Sequence, residues 1–149
     1  MNTFTVTVTD PCFTTVIQLP FSTLANMSYT IAAAASTQTF ALGTNSKAVQ
    51  LTDPTLCGPI EYSITEMYSF VTLNSSTNPA TISVQSNLIP DTGVYSATLH
   101  AKLLNYPSVT PVDIGFSITM INPCLTTTLN LPTAISAVTI SALSGVGST

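Results

Sequence analysis

The sequence predicts an all-β protein built as a two-sheet sandwich, and three observations carry that expectation. Short runs alternate apolar and polar residues at the period of two that a half-buried strand requires; in the clearest, Tyr95, Ala97, Leu99, Ala101 and Leu103 face one way and Ser96, Thr98, His100 and Lys102 the other. About ten such runs recur, with turn residues roughly every 8 to 12 positions, the spacing of an all-β sandwich. The 149 residues include 27 Thr and 17 Ser, a β-branched and hydroxyl-rich usage suited to strands.

In order, Thr3 to Thr9 reads as a strand with Phe4, Val6 and Val8 on its buried face. Asp10-Pro11 ends it, because proline offers no donor to a ladder. Thr15 to Leu19 follows, closed by Pro20. Met27 to Ala33, Gln38 to Leu42 and Ala48 to Leu51 are separated by Ser, Thr, Asn and Gly, and the alanines from Ala32 to Ala35 are expected where strands lie close. Asp53-Pro54 and Cys57-Gly58-Pro59 mark a loop before Glu61 to Glu66, where Tyr62 and Ile64 share a face. Asn74 to Pro79 is a turn between Ser69 to Leu73 and Thr81 to Gln85. Val94 to Leu103, a strand from Val112 onward, and Ala137 to Leu143 complete the set, and Ser144 to Thr149 reads as a tail.

The chain also repeats itself. Phe116 to Pro132 matches Phe4 to Pro20 at 8 of 17 positions with a constant offset of 112 residues: a strand, a Pro-Cys corner and a second short strand ending in Leu-Pro. This divides the chain into a module over 1–112 and the start of a second repeat over 113–149, read as an inter-subunit connector or donated strands. Strands offered to a neighbour's open edge make ladder hydrogen bonds and place alternate side chains in its groove. Phe116, Ile118, Met120, Leu129 and Leu131 are the expected anchors, each contributing about 1.5–3 kcal/mol when fully buried. Head-to-tail contacts of that kind do not close, and so propagate as filaments of identical subunits.

Only eight side chains carry formal charge, 5% of the chain, with a net charge of −4. Two Lys and no Arg cannot neutralise a phosphate backbone, which excludes nucleic acid as partner. No apolar run reaches 18 residues, so no membrane helix is expected, and no leader pattern is visible after Met1. A surface so poor in charge is expected to be covered by neighbouring subunits or by glycans; Asn26-Met27-Ser28 and Asn74-Ser75-Ser76 are the candidate N-glycosylation sites.

No enzymatic constellation emerges and no cofactor is expected. His100 stands on an outward face without a second His or a Cys-His cluster. Glu61 and Glu66, five apart on one strand, point to opposite faces and cannot act as a carboxylate pair. Asp10, Asp53, Asp91 and Asp113 are isolated, so no calcium or other metal site is expected. A carbohydrate-binding sandwich would want exposed aromatics together, and Tyr68, Tyr106 and Phe21 are scattered.

Asp91-Thr92-Gly93-Val94-Tyr95 resembles the tyrosine corner of immunoglobulin-like sandwiches, in which a Tyr hydroxyl bonds back to the backbone where one sheet hands over to the other. The family's core Cys two residues beyond that Tyr is Ala97 here, and the core Trp is missing. With Asp10-Pro11-Cys12, Cys57-Gly58-Pro59 and Asn105-Tyr106-Pro107, the set resembles the Ig-like and cadherin-like tandem repeats of large secreted or surface fibre and adhesin proteins of microbes, over nearly all of residues 1–124. That resemblance implies an extracellular structural or adhesive role without catalysis, either as a filament subunit or as a spacer in a long tandem-repeat protein.

Cys12, Cys57 and Cys124 make an odd count, and Cys124 is the repeat-equivalent of Cys12. Cys57 is expected to pair with whichever Pro-Cys corner occupies its own sandwich, that of the same chain or of a neighbour. The first alternative bonds Cys12 to Cys57 and leaves Cys124 near or bonded to the next copy; a free, buried Cys124 is the other outcome.

Overall fold

The longest alternating run becomes the longest strand. The protein is described by a computed structural model over residues 3–46, 56–66 and 68–128. Its strands are β1 (Ile17–Gln18), β2 (Met27–Thr30), β3 (Ser36–Phe40), β4 (Thr44–Asn45), β5 (Ile60–Ile64), β6 (Val71–Asn74), β7 (Ala80–Val84), β8 (Gly93–Leu103) and β9 (Val112–Ile121). Short 3₁₀ turns cover Pro11–Thr14, Ile89–Asp91 and Pro123–Thr126.

One sheet has the order β2-β9-β8-β5 and the facing sheet β3-β7-β6, while β1 and β4 form a separate two-stranded ladder. β8 and β9 form a long antiparallel pair in which Tyr95 lies opposite Ile118 and Ala97 opposite Phe116. β2 runs parallel to the far side of β9, with Met27 opposite Ile118 and Tyr29 opposite Met120. Inward side chains of the two sheets meet in one core that includes Ile82, Leu99 and Ile118, each 0% exposed. Two packed, mainly antiparallel sheets of four and three strands, joined at a tyrosine corner, make an Ig-like β-sandwich.

The repeated segment explains where sequence and structure part. Phe116, Ile118 and Met120, expected to enter a neighbour, fill the core of their own module. β9 is flanked by β8 and β2 of the same chain, so Val112–Ile121 belongs to the same sandwich as the strands before it. Its twin, Thr3 to Thr9, forms no strand: Phe4, Val6 and Val8 are 87%, 70% and 89% exposed. Both segments carry the pattern that suits the slot between β2 and β8, the described residues form one such slot, and β9 holds it.

Two smaller differences have local causes. The alanines after Ile31 do not pack between strands; they form an exposed turn carrying the chain from β2 to β3 in the other sheet, and Ala32 takes φ 66 there. β4 escapes sequence reading because two residues, Thr44–Asn45, show no alternation. Ala48 to Leu51, Leu129, Leu131 and Ala137 to Leu143 lie outside the described residues.

Candidate functional site

The segment that occurs twice also supplies the features at the two ends of the sandwich. In the first Pro-Cys corner, Asp10 caps the turn Pro11–Thr14, its Oδ1 accepting from the Cys12 amide at 2.8 Å. Cys12 is fully buried and disulfide-bonded to Cys57, 45 residues on. Gly58 follows at φ 80; a Cβ there would come within 2.5 Å of the Asn105 amide, so the turn needs glycine both for its backbone and for its space. The Tyr106 hydroxyl donates to Asp10 Oδ2 at 2.9 Å, and the Tyr106 ring meets Phe13 edge-on at 5.4 Å. The hydrogen bond to Asp10, then burial, then the carboxylate charge all hold the Tyr106 phenol above its ordinary ionisation range.

The second corner has the same local form without those partners. Asn122 caps Pro123–Thr126, its Oδ1 accepting from the Cys124 amide at 2.9 Å, and its backbone angles, φ −77 and ψ 115, reproduce those of Asp10, −81 and 113. Cys124 is exposed rather than buried and has no disulfide partner within the chain among the described residues, and Leu125, at the position of Phe13, is 80% exposed.

The two corners sit at opposite poles. Tyr106 belongs to the loop joining β8 to β9, and it holds the first corner at that end. β9 then runs its 10 residues, about 30 Å at 3.2–3.4 Å each, to the other end. There Ile31 N–H donates to the Ile121 carbonyl, and the second corner follows.

A cleft of about 410 Å³ opens along one side between β5 and β6, the outer strands of the two sheets, lined by Tyr62, Ile64, Glu66, Tyr68, Val71 and Leu73 among others. Leu104 N–H donates to the Pro59 carbonyl and Thr65 N–H to Thr98, which in an antiparallel ladder turns the backbone groups of Ile60, Tyr62 and Ile64 away from β8 toward this open edge. Glu66 is occupied: its Oε2 accepts from the Thr98 amide at 2.7 Å and its Oε1 from the Thr98 hydroxyl at 3.2 Å.

The remaining candidates are separate features. Tyr95 Oη donates to the Asp91 carbonyl at 3.0 Å, and Gly93 between them adopts φ 154. Asn26 and Asn74 are both exposed; Asn26 Oδ1 accepts from the Ser117 amide, and Asn74 Oδ1 from the Ser76 amide and hydroxyl. Strand register pairs His100 with Asp113 at 2.6 Å and Lys102 with Glu61 at 3.0 Å, contacts that alternation alone does not reveal. Phe21 packs on Phe40, Tyr68 on Phe70 and Tyr106 on Phe13, so the three scattered aromatics do not meet. Among the described residues no three His, Cys, Asp or Glu side chains gather as a metal site, and no helix is long and apolar enough to cross a membrane. Sequence reading misses Tyr106 as the clamp on Asp10; its signal is the Asn105-Tyr106-Pro107 motif, which the sequence ties only to the family resemblance.

No protein-family model matches the chain, and no curated protein matches it in sequence. Among solved structures it is similar to an endo-fucoidan hydrolase from glycoside hydrolase family 107, at 13% identity and TM-score 0.51 over 73% of this chain and 14% of that one. It is also similar to titin domain M7, at 10% identity and TM-score 0.43 over 72% and 95% of the two chains. The Ig complex of titin M10 with obscurin-like 1 gives 8% identity and TM-score 0.46 over 73% and 97%. The chain spans 14% of the length of the hydrolase it matches, and identities this low concern the fold alone. Fold and surface together define an Ig-like β-sandwich module.

Proposed function

We propose that the chain is a structural module of an extracellular fibre, joined end to end with modules of its own kind through the strand and Pro-Cys corner it carries twice. One observation carries this reading: the two corners lie at opposite poles, the first with an exposed apolar segment attached and the second with an exposed thiol. Copies joined head to tail through two different surfaces propagate as a filament when the rotation between neighbours does not close. The Cys12–Cys57 disulfide supports an oxidising compartment. Glycans on exposed Asn26 and Asn74 would keep a charge-poor surface wet.

Sedimentation and electron microscopy of the full chain test it, beside a variant carrying Phe4→Ser, Val6→Ser and Val8→Ser. The expected result is linear association of the parent and a folded monomer for the variant. A parent that stays monomeric at every concentration reached overturns the reading.

The seat of β9 favours a second reading, in which the module belongs to a longer tandem-repeat polypeptide and Thr3 to Thr9 is the closing strand of the module before it. The intact mass of native material separates the two, since a polypeptide of 149 residues fits assembled subunits and one many times longer fits covalent repeats.

A further inference from the structure

The exposed N-terminal segment needs an acceptor, and its twin shows what this sequence does when it has one: β9 pairs along β8 and β2 and sends Phe116, Ile118 and Met120 between the sheets. In the described structure the slot β9 uses is closed. The cleft between β5 and β6 has comparable ingredients: a backbone edge at Ile60, Tyr62 and Ile64 that no other strand pairs with among the described residues, and an apolar floor of Tyr62, Ile64, Val71 and Leu73. We propose that this cleft seats the N-terminal segment of a second copy, with Phe4, Val6 and Val8 entering it; the proposal rests on the reading above that copies join through that segment, and it places the acceptor on the side of the sandwich rather than at the second corner.

Charge and length agree. Thr3 to Thr9 carries no formal charge to repel the cleft, and the cleft's one carboxylate among the described lining residues, Glu66, has both oxygens hydrogen-bonded by Thr98. The three apolar side chains from Phe4 to Val8 span five residues, as β5 does from Ile60 to Ile64. Area sets the strength. Phe4 offers roughly 150–250 Å² and the two valines less, short of the about 800 Å² that a standard interface takes from each partner. One seat is therefore a weak link, and it is read by local protection rather than by a stable dimer.

The experiment is amide hydrogen exchange on the full chain across a concentration series, repeated with the Phe4→Ser, Val6→Ser, Val8→Ser variant. The amides of Ile60, Tyr62 and Ile64 are expected to gain at least threefold protection as concentration rises, and to lose that gain in the variant. Concentration-dependent protection that needs the N-terminal segment but falls on β2 or β3 overturns the cleft, and protection that falls on β6 overturns β5 as the acceptor edge; either leaves association through that segment standing. No concentration-dependent protection anywhere, with a monomer by sedimentation, overturns both. Protection at β5 that persists in the variant overturns this occupant.

Discussion

Val6 and Ile118 occupy the same position of the repeated segment, 112 residues apart, yet Val6 is 70% exposed and Ile118 is 0% exposed. Sequence similarity this close leads to opposite consequences because only one copy finds β2 and β8 beside it. Ile118→Asp places an unpaired carboxylate in the core, a cost of several kcal/mol against a total stability of about 5–15 kcal/mol. It is expected to prevent folding. Val6→Asp, in a residue that touches no core, is expected to change stability by less than about 0.5 kcal/mol. Urea titrations of the two variants check the pair; comparable losses would place Val6 in a packed environment.

This pair also shows how much was legible beforehand. The sandwich class, β7, β8 and β9 follow from alternation and turn residues, since inward faces must be apolar in any sheet pairing. Which copy of the repeat would be seated was not legible, because Phe4-Val6-Val8 and Phe116-Ile118-Met120 present the same pattern and the choice depends on β8 being next to β9 in the chain. A hairpin closes a short loop, here Leu104 to Pro111, at far lower entropy cost than an association spanning the module. Tyr106 was illegible as a clamp for the same kind of reason: its partner Asp10 lies 96 residues away.

The Tyr106–Asp10 bond predicts a titration. The fold holds the Tyr106 phenol above its ordinary value of 10.0, the hydrogen bond to Asp10 being the largest cause. Asp10→Ala removes both that bond and the carboxylate charge. Tyrosine ring carbons followed by NMR, with Tyr106 assigned from Tyr106→Phe, are expected to show its ionisation moving down toward 10.0 in Asp10→Ala. An unmoved titration would mean that the clamp is not formed in solution.

Stability is expected to fall at both pH extremes through two other groups. Burial raises the Tyr62 phenol and the Gly43 amide, donating to its hydroxyl at 2.7 Å, only partly offsets this, so the folded value exceeds 10.0. The neutral form is favoured by folding: the contribution is full below 10.0 and is lost as pH rises from there through the folded value. For Glu66, burial raises the carboxyl, but hydrogen bonds from Thr65, Thr98 and its own backbone outweigh it and lower the folded value below 4.5. That contribution is present above 4.5 and lost as pH falls through the folded value. Urea midpoints against pH should lose part of the alkaline decline in Tyr62→Phe, the rest remaining with Tyr106, and part of the acid decline in Glu66→Gln.

Ala32 holds φ 66 in the exposed turn between β2 and β3, while its amide donates to the Ser86 carbonyl at 2.9 Å. An L-residue in that region costs roughly 1–2 kcal/mol, which Ala32→Gly would relieve, against about 0.4–1 kcal/mol from the greater freedom glycine gives the unfolded chain. The difference favours glycine slightly: Ala32→Gly is expected to be neutral to about 1 kcal/mol stabilising. Ala32→Val adds a β-branched side chain to the same strained backbone and is expected to cost more than about 1 kcal/mol. Chemical denaturation of both variants decides it.

The cysteines separate the two corners by energy as well as by geometry. The Cys12–Cys57 bond closes a loop of 45 residues, for which the chain-entropy estimate gives about 4 kcal/mol at 25 °C. Cys12→Ser, made with Cys57→Ser so that no new thiol is exposed, is therefore expected to cost between about 2 and 5 kcal/mol, enough to unfold a domain at the lower end of the usual stability range. Cys124→Ser removes an exposed side chain without a covalent partner and is expected to shift stability by less than about 0.5 kcal/mol. Thiol counting with a coloured disulfide reagent should find one reactive thiol in the native chain and none in Cys124→Ser. If native chains instead yield no thiol and migrate as multimers on a non-reducing gel, Cys124 has bonded to another copy, and the second corner is a covalent joint rather than an open end.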